Sequence, residues 1–593
     1  MSNPADTNAM LDDDKGTMNA NRTPPPENPE SIRTRSLVVS AFWAVIIFLG
    51  LPMWWKTTSI YRARLPLDEM TDWAAGKACR PVFPLQIQVR TPLIQAQDAR
   101  NLVQSTQHAL DDLNDFSAHH LRLQLAEASQ ASDDSSMDST SSDMEAKTST
   151  NADLTVRLLP QDNITAPTSH LHQYSEYLDI FYPSSQMHSQ STSHSSLAAY
   201  VANELQNLFS EEKATLQYIL SKSNMLGPTL QPSITGRLST QGLQPSHGSN
   251  KEQRNPVMNS VAPELMESIA HRIGRSFKYA DTYHLSFSLF TPGAEPSSWD
   301  IEPALREYLI PLLEAFSPIS NFSINTQVQL YATFSPTFTP PEYDQAREAW
   351  TLRKEDLSAF INAAEWPLNP SIGGGPTMNF ILYVPAPTQS PLLIKESLTT
   401  SWLIPQWGGV VILNPPVSIT NESPTNPAHL TKDSLHRTMT TFSHQLFSLL
   451  GVPSSPSSLP LRLQHVIRMH TASLLLSASS TMGSLARLTR SLPSIPIPAT
   501  VATSVSRTLS RLSSTCDFLR DGDFTQALAS ARVAEGEAER SFFEKSMVGQ
   551  VYFPDEHKVA VYLPLLGPIG VPLVLGLVKE VKQLVLRWKM RRS

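Results

Sequence analysis

The sequence predicts an α/β domain with a C-terminal helical section, flanked by two transmembrane helices. Three observations carry that reading. Residues 36–55 (SLVVSAFWAVIIFLGLPMWW) and 559–578 (VAVYLPLLGPIGVPLVLGLV) are uncharged runs, each long enough at about 1.5 Å per residue to cross a hydrocarbon core of roughly 30 Å. Between them, short stretches of alternating apolar and polar residues are separated by a helical stripe, the pattern of a strand–helix–strand unit. After about residue 428 the apolar spacing becomes helical.

Composition sets the outer limits. The chain has 593 residues, 46 Lys+Arg against 54 Asp+Glu, and a formal net charge of −8. That balance gives no basic field of the kind that binds nucleic acid. Two cysteines, Cys79 and Cys516, exclude a disulfide scaffold and any zinc site built from three or four thiolates of one chain. They allow at most one internal disulfide. Cys79 reads equally as free or bonded, while Cys516 lies on an apolar helix face and reads as a small core residue.

Residues 1–35 are polar and rich in Pro and Asp, a disordered cytosolic tail. The run at 36–55 is longer than the core of a signal peptide, and its flank WWKTTSIYR lacks a small-residue cleavage site, so it reads as an uncleaved helix. Trp54 and Trp55 fall where an interfacial aromatic belt belongs. Arg22, Arg33 and Arg35 before this run balance Lys56, Arg62 and Arg64 after it, so they do not orient it. The run at 559–578 is followed by Lys579, Lys582, Arg587, Lys589, Arg591 and Arg592, against only Arg540, Lys545 and Lys558 before it. The excess places the basic tail 579–593 in the cytosol. Two spans then return the N-terminus to the same side and leave 56–558 in the lumen. Three glycosylation sequons fall there, at Asn163, Asn321 and Asn421; a fourth, at Asn21 in the tail, shows how readily the pattern arises by chance.

Within the lumenal part, 56–427 is expected to be an α/β region and 428–558 a helical section. PLQIQV (84–89) reads as a strand and 95–124 as a helical pattern. The Ser/Asp-rich tract 127–151 cannot bury a core and reads as a solvated insertion; 184–196 and 240–255 read as surface loops. Tyr283, Leu285, Phe287 and Leu289 alternate with His284, Ser286 and Ser288, a half-buried strand, and Phe322, Ile324, Val328 and Leu330 alternate in the same way. The segment joining them carries Ile301, Leu305, Tyr308, Leu309, Leu312, Leu313 and Phe316 at helical spacing, with a kink expected at Pro311. Strands are expected at 380–384 and 410–413. Val501, Val505, Leu509, Leu512, Cys516 and Leu519 mark one helix face, with 524–543 as its hairpin partner.

Chemistry is sparse. No nucleophile elbow, dinucleotide or phosphate-binding loop, or zinc-protease motif occurs, and no cofactor, catalytic or metal site is expected. Gly373-Gly374-Gly375-Pro376 reads as a tight turn before a strand. His119, His120, His170, His172, His188 and His194 read as solvated surface residues. The apolar runs are more telling. Pro564, Pro568 and Pro572 recur every four residues and free backbone carbonyls that need a partner inside a bilayer. Gly567 and Gly570, and Ser40 with Ala44, are thin positions where another helix can approach. These are membrane-packing candidates.

Four blocks resemble the S subunit of the GPI transamidase, the PIG-S family: GLPMWWKTT at 50–58 with Tyr61, Arg62, Leu65 and Pro66; SNFS at 320–323 running to QVQLY at 327–331; WGGVVILNPP at 407–416; and YFPD at 552–555 with Lys558, Ala560, Tyr562 and Pro564. They span the chain in the family's order; the insertion 127–151 departs from the family pattern. The resemblance implies a non-catalytic structural subunit of an endoplasmic-reticulum membrane complex that attaches preassembled GPI anchors to proproteins. Its expected partners are the other subunits, including a cysteine-protease-like catalytic one, the membrane, and the GPI lipid as a candidate contact. Two alternatives remain open: a lumenal receptor for GPI lipid or proprotein, and a membrane-tethered hydrolase.

Overall fold

A computed structural model of the chain describes residues 28–50, 52–53, 56, 61–126, 152–183, 196–221, 263–332, 334–335, 338–358, 360, 374–416, 418–420, 423–493, 495–547 and 556–592. The tract 127–151, the loop 240–255 and nearly all of 184–196 lie outside these residues, as do Asn421, His188 and His194. The chain divides into two compact units: Met1–Ala63 with Leu492–Pro498 and Lys545–Ser593, and Arg64–Ser491 with Ala499–Glu544.

The larger unit holds mixed α/β sheets and a helical C-terminal region. It begins with α1 (Leu67–Ala74), β1 (Phe83–Arg90), α2 (Ala96–Leu113), β2 (His119–Leu125), β3 (Leu154–Gln161), β4 (Thr168–Leu171) and β5 (Tyr177–Pro183). The five strands form one sheet in the order β2-β1-β3-β5-β4. All neighbours are parallel except the β4–β5 pair. The helix expected over 95–124 is corrected here: it ends at Leu113, and HHLRLQL forms β2. The period-two alternation of Leu121, Leu123 and Leu125 begins just after a helical stripe and was masked by it.

After α3 (Ser196–Leu208), α4 (Ser210–Ser221) and α5 (Pro263–Arg275), the chain builds a second sheet. Its elements are β6 (Thr282–Phe290), β7 (Ser298–Trp299), α6 (Ile301–Tyr308), α7 (Ile310–Ala315), β8 (Asn321–Gln329), β9 (Glu342–Asp344), β10 (Ala349–Leu352), β11 (Thr377–Tyr383), β12 (Leu392–Ile394), β13 (Ser401–Ile404) and β14 (Gly408–Ile412). The main sheet runs β13-β14-β11-β6-β8, parallel except for β13 against β14. Both five-stranded sheets therefore share one topology. An interior strand next to the edge is followed by helix and parallel edge strand, then the chain crosses to the other side, where the last parallel strand carries an antiparallel edge. The stripe at 301–316 breaks into two helices at Leu309 instead of kinking as one, with Pro311 at the start of the second. β6 is buried on both faces, not one: His284, Ser286 and Ser288 are buried along with the apolar residues, as befits an interior strand of a parallel sheet.

β9, β10 and β12 make a small separate sheet. β15 (Ser418–Thr420) pairs with β16 (Ser423–Thr425), and β17 (His429–Leu430) with β7. Four helices complete the unit: α8 (Lys432–Leu449), α9 (Leu459–Ser491), α10 (Ala499–Asp521) and α11 (Phe524–Phe542). Phe442 of α8 packs on the stacked pair Phe287–Phe380 of the second sheet. α10 and α11 form the expected antiparallel hairpin, with Asp523 capping α11 through the Gln526 N–H at 3.0 Å.

In the smaller unit the N-terminal helix Pro29–Val45 continues as a π-helical turn, Ile46–Gly50. Among the described residues, one helix is long and apolar enough to cross a membrane, Arg33–Gly50, with mean hydropathy 1.4 and none of it buried. The run at 559–578 lies inside the 37-residue C-terminal helix Glu556–Arg592, which contains Pro564, Pro568 and Pro572. Arg35 Nε meets Glu580 Oε1 at 3.2 Å, joining the start of one helix to the far part of the other.

The Trp-Gly-Gly block has a packing reason. A Cβ on Gly408 would overlap the Asn379 backbone in β11, and one on Gly409 would strike the Gln445 side chain, whereas one on Gly374 meets nothing within 4 Å. Gly408→Ala is expected to lower stability by about 1–3 kcal/mol in chemical denaturation of the detergent-purified chain, with Gly374→Ala near neutral. Equal behaviour of the two variants would contradict this packing.

Candidate functional site

The most heavily charged interior site lies where α4, α9 and the first sheet meet. α4 (SEEKATLQYILS) carries Glu211, Glu212 and Lys213 on a helix buried on nearly every side, so each charge must be met. Arg468, at 0% exposure in α9, donates from Nε to Glu212 Oε1 at 2.6 Å and from Nη2 to Oε2 at 2.9 Å, a fork-to-fork pair. Its Nη1 donates to Asp153 Oδ1 at 3.1 Å, and Asp153 accepts the Gln86 N–H of β1 through Oδ2 at 2.8 Å. The guanidinium also lies 5.0 Å from the Phe524 ring centroid. On the same helix Glu211 pairs with Arg272 of α5 and accepts the Ser455 N–H at 3.1 Å, and Lys213 pairs with Asp115.

The electrostatics follow from burial. Desolvation pushes the Glu212 carboxyl up, but Arg468 outweighs it and holds the group well below the usual carboxylate range. Asp153 is pushed upward, chiefly by burial. His465 is fully buried, with neither ring nitrogen hydrogen-bonded among the described residues; burial lowers it to about 3. His470 falls to about 4 for the same reason. The paired carboxylates hold elements together.

A second long-range tie is the disulfide Cys79–Cys516, which joins the segment after α1 to α10 with Cα atoms 6.4 Å apart and 437 positions of sequence between them. Cys516 is buried on its helix face as expected, and it is bonded as well. The surface reading of the histidines is corrected in part. His119 is buried 3.6 Å from Glu212 Oε1, and His172 Nε2 lies 2.9 Å from Asp179 Oδ2, beside Arg157. The structure also assembles a trio the sequence does not announce. Ser298 Oγ lies 2.8 Å from His429 Nδ1, and His429 Nε2 lies 3.1 Å from Asp300 Oδ1. Ser298 and His429 are cross-strand partners in the β7–β17 pair and Asp300 follows β7; both His429 and Asp300 are more than two-fifths exposed.

Of the sequons, Asn163 sits in an exposed turn after β3 and Asn321 is exposed at the first position of β8. Ser40 and Ala44 are exposed on the N-terminal helix, as are Pro564, Pro568 and Pro572 on the C-terminal one. A Cβ on Gly567 or Gly570 would meet nothing within 4 Å. The described residues contain no group of three or more metal-ligating side chains.

Residues 41–587 match the model of the family described as phosphatidylinositol-glycan biosynthesis class S protein, PIG-S. The chain belongs to the PIG-S family. It is 28% identical over 575 residues to the GPI-anchor transamidase component PIGS of Bos taurus, covering 92% of this chain and 95% of the relative. Against the component of the same name in Homo sapiens the identity is 26% over 565 residues, covering 91% and 93%. The GPI transamidase component PIG-S homolog of Schizosaccharomyces pombe is 30% identical over 329 residues, 54% of this chain and 57% of the relative. The family match thus runs through both sheets, the ionic centre and both cysteines.

Two outcomes test the ionic centre. Arg468→Leu leaves Glu212 buried and uncompensated, at an expected cost of about 3–5 kcal/mol, and Arg468→Leu/Glu212→Leu recovers much of it; denaturation curves decide. The two depressed histidines bind protons more readily unfolded than folded, so their stability contribution is complete above about pH 6.5 and is lost on acidification, by up to about 1.4 kcal/mol per pH unit for each. Between pH 6.5 and 4.5 the wild type is expected to lose more stability than His465→Asn/His470→Asn; parallel losses would exclude the imidazoles as the source.

Proposed function

We propose that the chain is a structural, non-catalytic component of a GPI transamidase complex in the endoplasmic-reticulum membrane. In this reading it crosses the bilayer twice, at 36–55 and 559–578, with tails 1–35 and 579–593 in the cytosol and the body between them in the lumen. Family membership across 41–587 carries the assignment, because the relatives are named as transamidase components. Two features of the chain support the topology. A disulfide belongs to an oxidising compartment, which favours the lumen over the cytosol for Cys79 and Cys516. The Arg35–Glu580 pair lies just outside both apolar runs and ties ends that a two-pass chain would hold on the same face. The thin positions Ser40 and Ala44, which are exposed, and Gly567 and Gly570, which are half-buried, with Pro564, Pro568 and Pro572, would then pack against helices of other subunits or the GPI lipid. Asn163 and Asn321 would be open to glycosylation, with Asn421 a third candidate. The catalytic work would fall to a cysteine-protease-like partner.

The Ser298–His429–Asp300 trio favours a second reading, a hydrolase that uses Ser298 as nucleophile and His429 as base. One experiment separates the two. Cells lacking the endogenous chain are supplied with wild type, Ser298→Ala or Cys79→Ala/Cys516→Ala, and surface display of a GPI-anchored reporter is measured against the amount of assembled complex. The structural reading expects unchanged display per complex for each variant; a loss of tenfold or more in Ser298→Ala with assembly intact favours the hydrolase.

A further inference from the structure

The shared topology of the two large sheets makes their outer edges comparable, and they are finished differently. In β2, the edge of the first sheet, Ala126 N–H donates to the Val89 carbonyl and the Ala118 carbonyl just before the strand accepts from Phe83 N–H, which places even-numbered residues toward β1. The odd-numbered residues face outward, and side-chain amides meet them. Gln107 Nε2 donates to the Leu121 carbonyl at 3.0 Å, Gln107 Oε1 accepts the Leu123 N–H at 2.9 Å, and Asn114 Nδ2 donates to the His119 carbonyl at 2.9 Å. Two side chains thus imitate a neighbouring strand and close the edge.

β8, the matching edge of the second sheet, has no such closure among the described residues. The Asn321 N–H donates to Asp281, and the Gln329 carbonyl accepts from Thr291. In a parallel strand the N–H and C=O of one residue point to the same side, and sides alternate. Odd-numbered residues therefore face β6, and Phe322, Ile324, Thr326 and Val328 turn their amides and carbonyls outward. Among the described residues none of these groups takes part in a hydrogen bond outside the sheet. The strand is nine residues long and reads NFSINTQVQ, with no charge and no proline. The other outer edges, β4 and β13, have four residues each. Natural proteins guard a long free edge with charge, proline or a cover, and β8 has none of these among the described residues.

We propose that the β8 edge is the docking site for an extended, uncharged segment of another subunit, which adds to the sheet as a sixth strand. Only a polypeptide offers alternating donors and acceptors at strand spacing, and the same edge of the sister sheet is satisfied by amides. The absence of charge on β8 selects against a charged occupant, which would be desolvated with no counter-charge. This rests on the proposed place of the chain in a transamidase complex and names where on the chain one contact would form.

The experiment uses the full chain purified in mild detergent with its partners. Thr326→Pro removes an outward N–H and leaves the β6-facing residues intact, while Thr326→Ala keeps the N–H. The Cys79–Cys516 disulfide, read on a non-reducing gel, reports folding. A photo-crosslinking residue at Val328, which is 38% exposed, identifies the occupant whether or not the proline variant folds. Wild type retrieving no other subunit would overturn complex membership itself. With wild type intact, the expected result is a tenfold or greater loss of one subunit in Thr326→Pro but not in Thr326→Ala, and a Val328 adduct to that subunit. Full retention in a disulfide-bonded Thr326→Pro, an adduct only to a second copy of this chain, or no adduct would overturn the β8 proposal alone.

Discussion

A guanidinium sealed from water must be met by carboxylates, and in this chain that requirement joins elements far apart in sequence. Arg468 reaches back 256 positions to Glu212 and 315 to Asp153. The three residues stand on α9, on α4 and at the entry to β3, so the pairings fix the long helix against the first sheet. Such a pair contributes less to net stability than its geometry suggests, because desolvation offsets much of the attraction. Its role is positional: any arrangement that separates the partners leaves a buried charge alone. α4 extends the arrangement, since Glu211 fixes α5 through Arg272 and Lys213 fixes the α2–β2 connection through Asp115.

The disulfide acts on the same scale by different physics. It closes a loop of more than four hundred residues and constrains the unfolded ensemble, while the ionic centre discriminates among folded arrangements. Both ties belong to the larger unit and converge on the packing of the first sheet against the C-terminal helices. The second sheet has an aromatic cluster, with Phe287, Phe380 and Phe442 at its centre. Both sheets bury apolar strands; the first adds charge pairing and a crosslink to that core, the second aromatic packing.

Strong periodicity made much of the fold legible. The strands at 84–89, 283–289, 380–384 and 410–413 and the α10–α11 hairpin are where alternation or helical stripes placed them, because each pattern answers to one buried face. Legibility failed where two periods abut, as at the α2–β2 junction, and where a strand is buried on both sides, as in β6. Nothing within α4 itself marks it as interior: only the presence of Arg272, Arg468 and Asp115 around it makes Glu211, Glu212 and Lys213 interior residues. The trio Ser298, His429 and Asp300 was invisible because 131 positions separate Ser298 from His429.

The sequence by itself determined the apolar runs, the α/β character, the helical C-terminal region and, through four dispersed blocks, the family. Those are properties of local composition and period, which a linear chain displays directly. Tertiary structure alone decided that Cys79 bonds to Cys516, that Arg468 is neutralised by Glu212 and Asp153, and that two sheets repeat one topology. Pairing across hundreds of residues leaves no periodic trace in the chain, since neither partner's neighbours record where folding will bring the other.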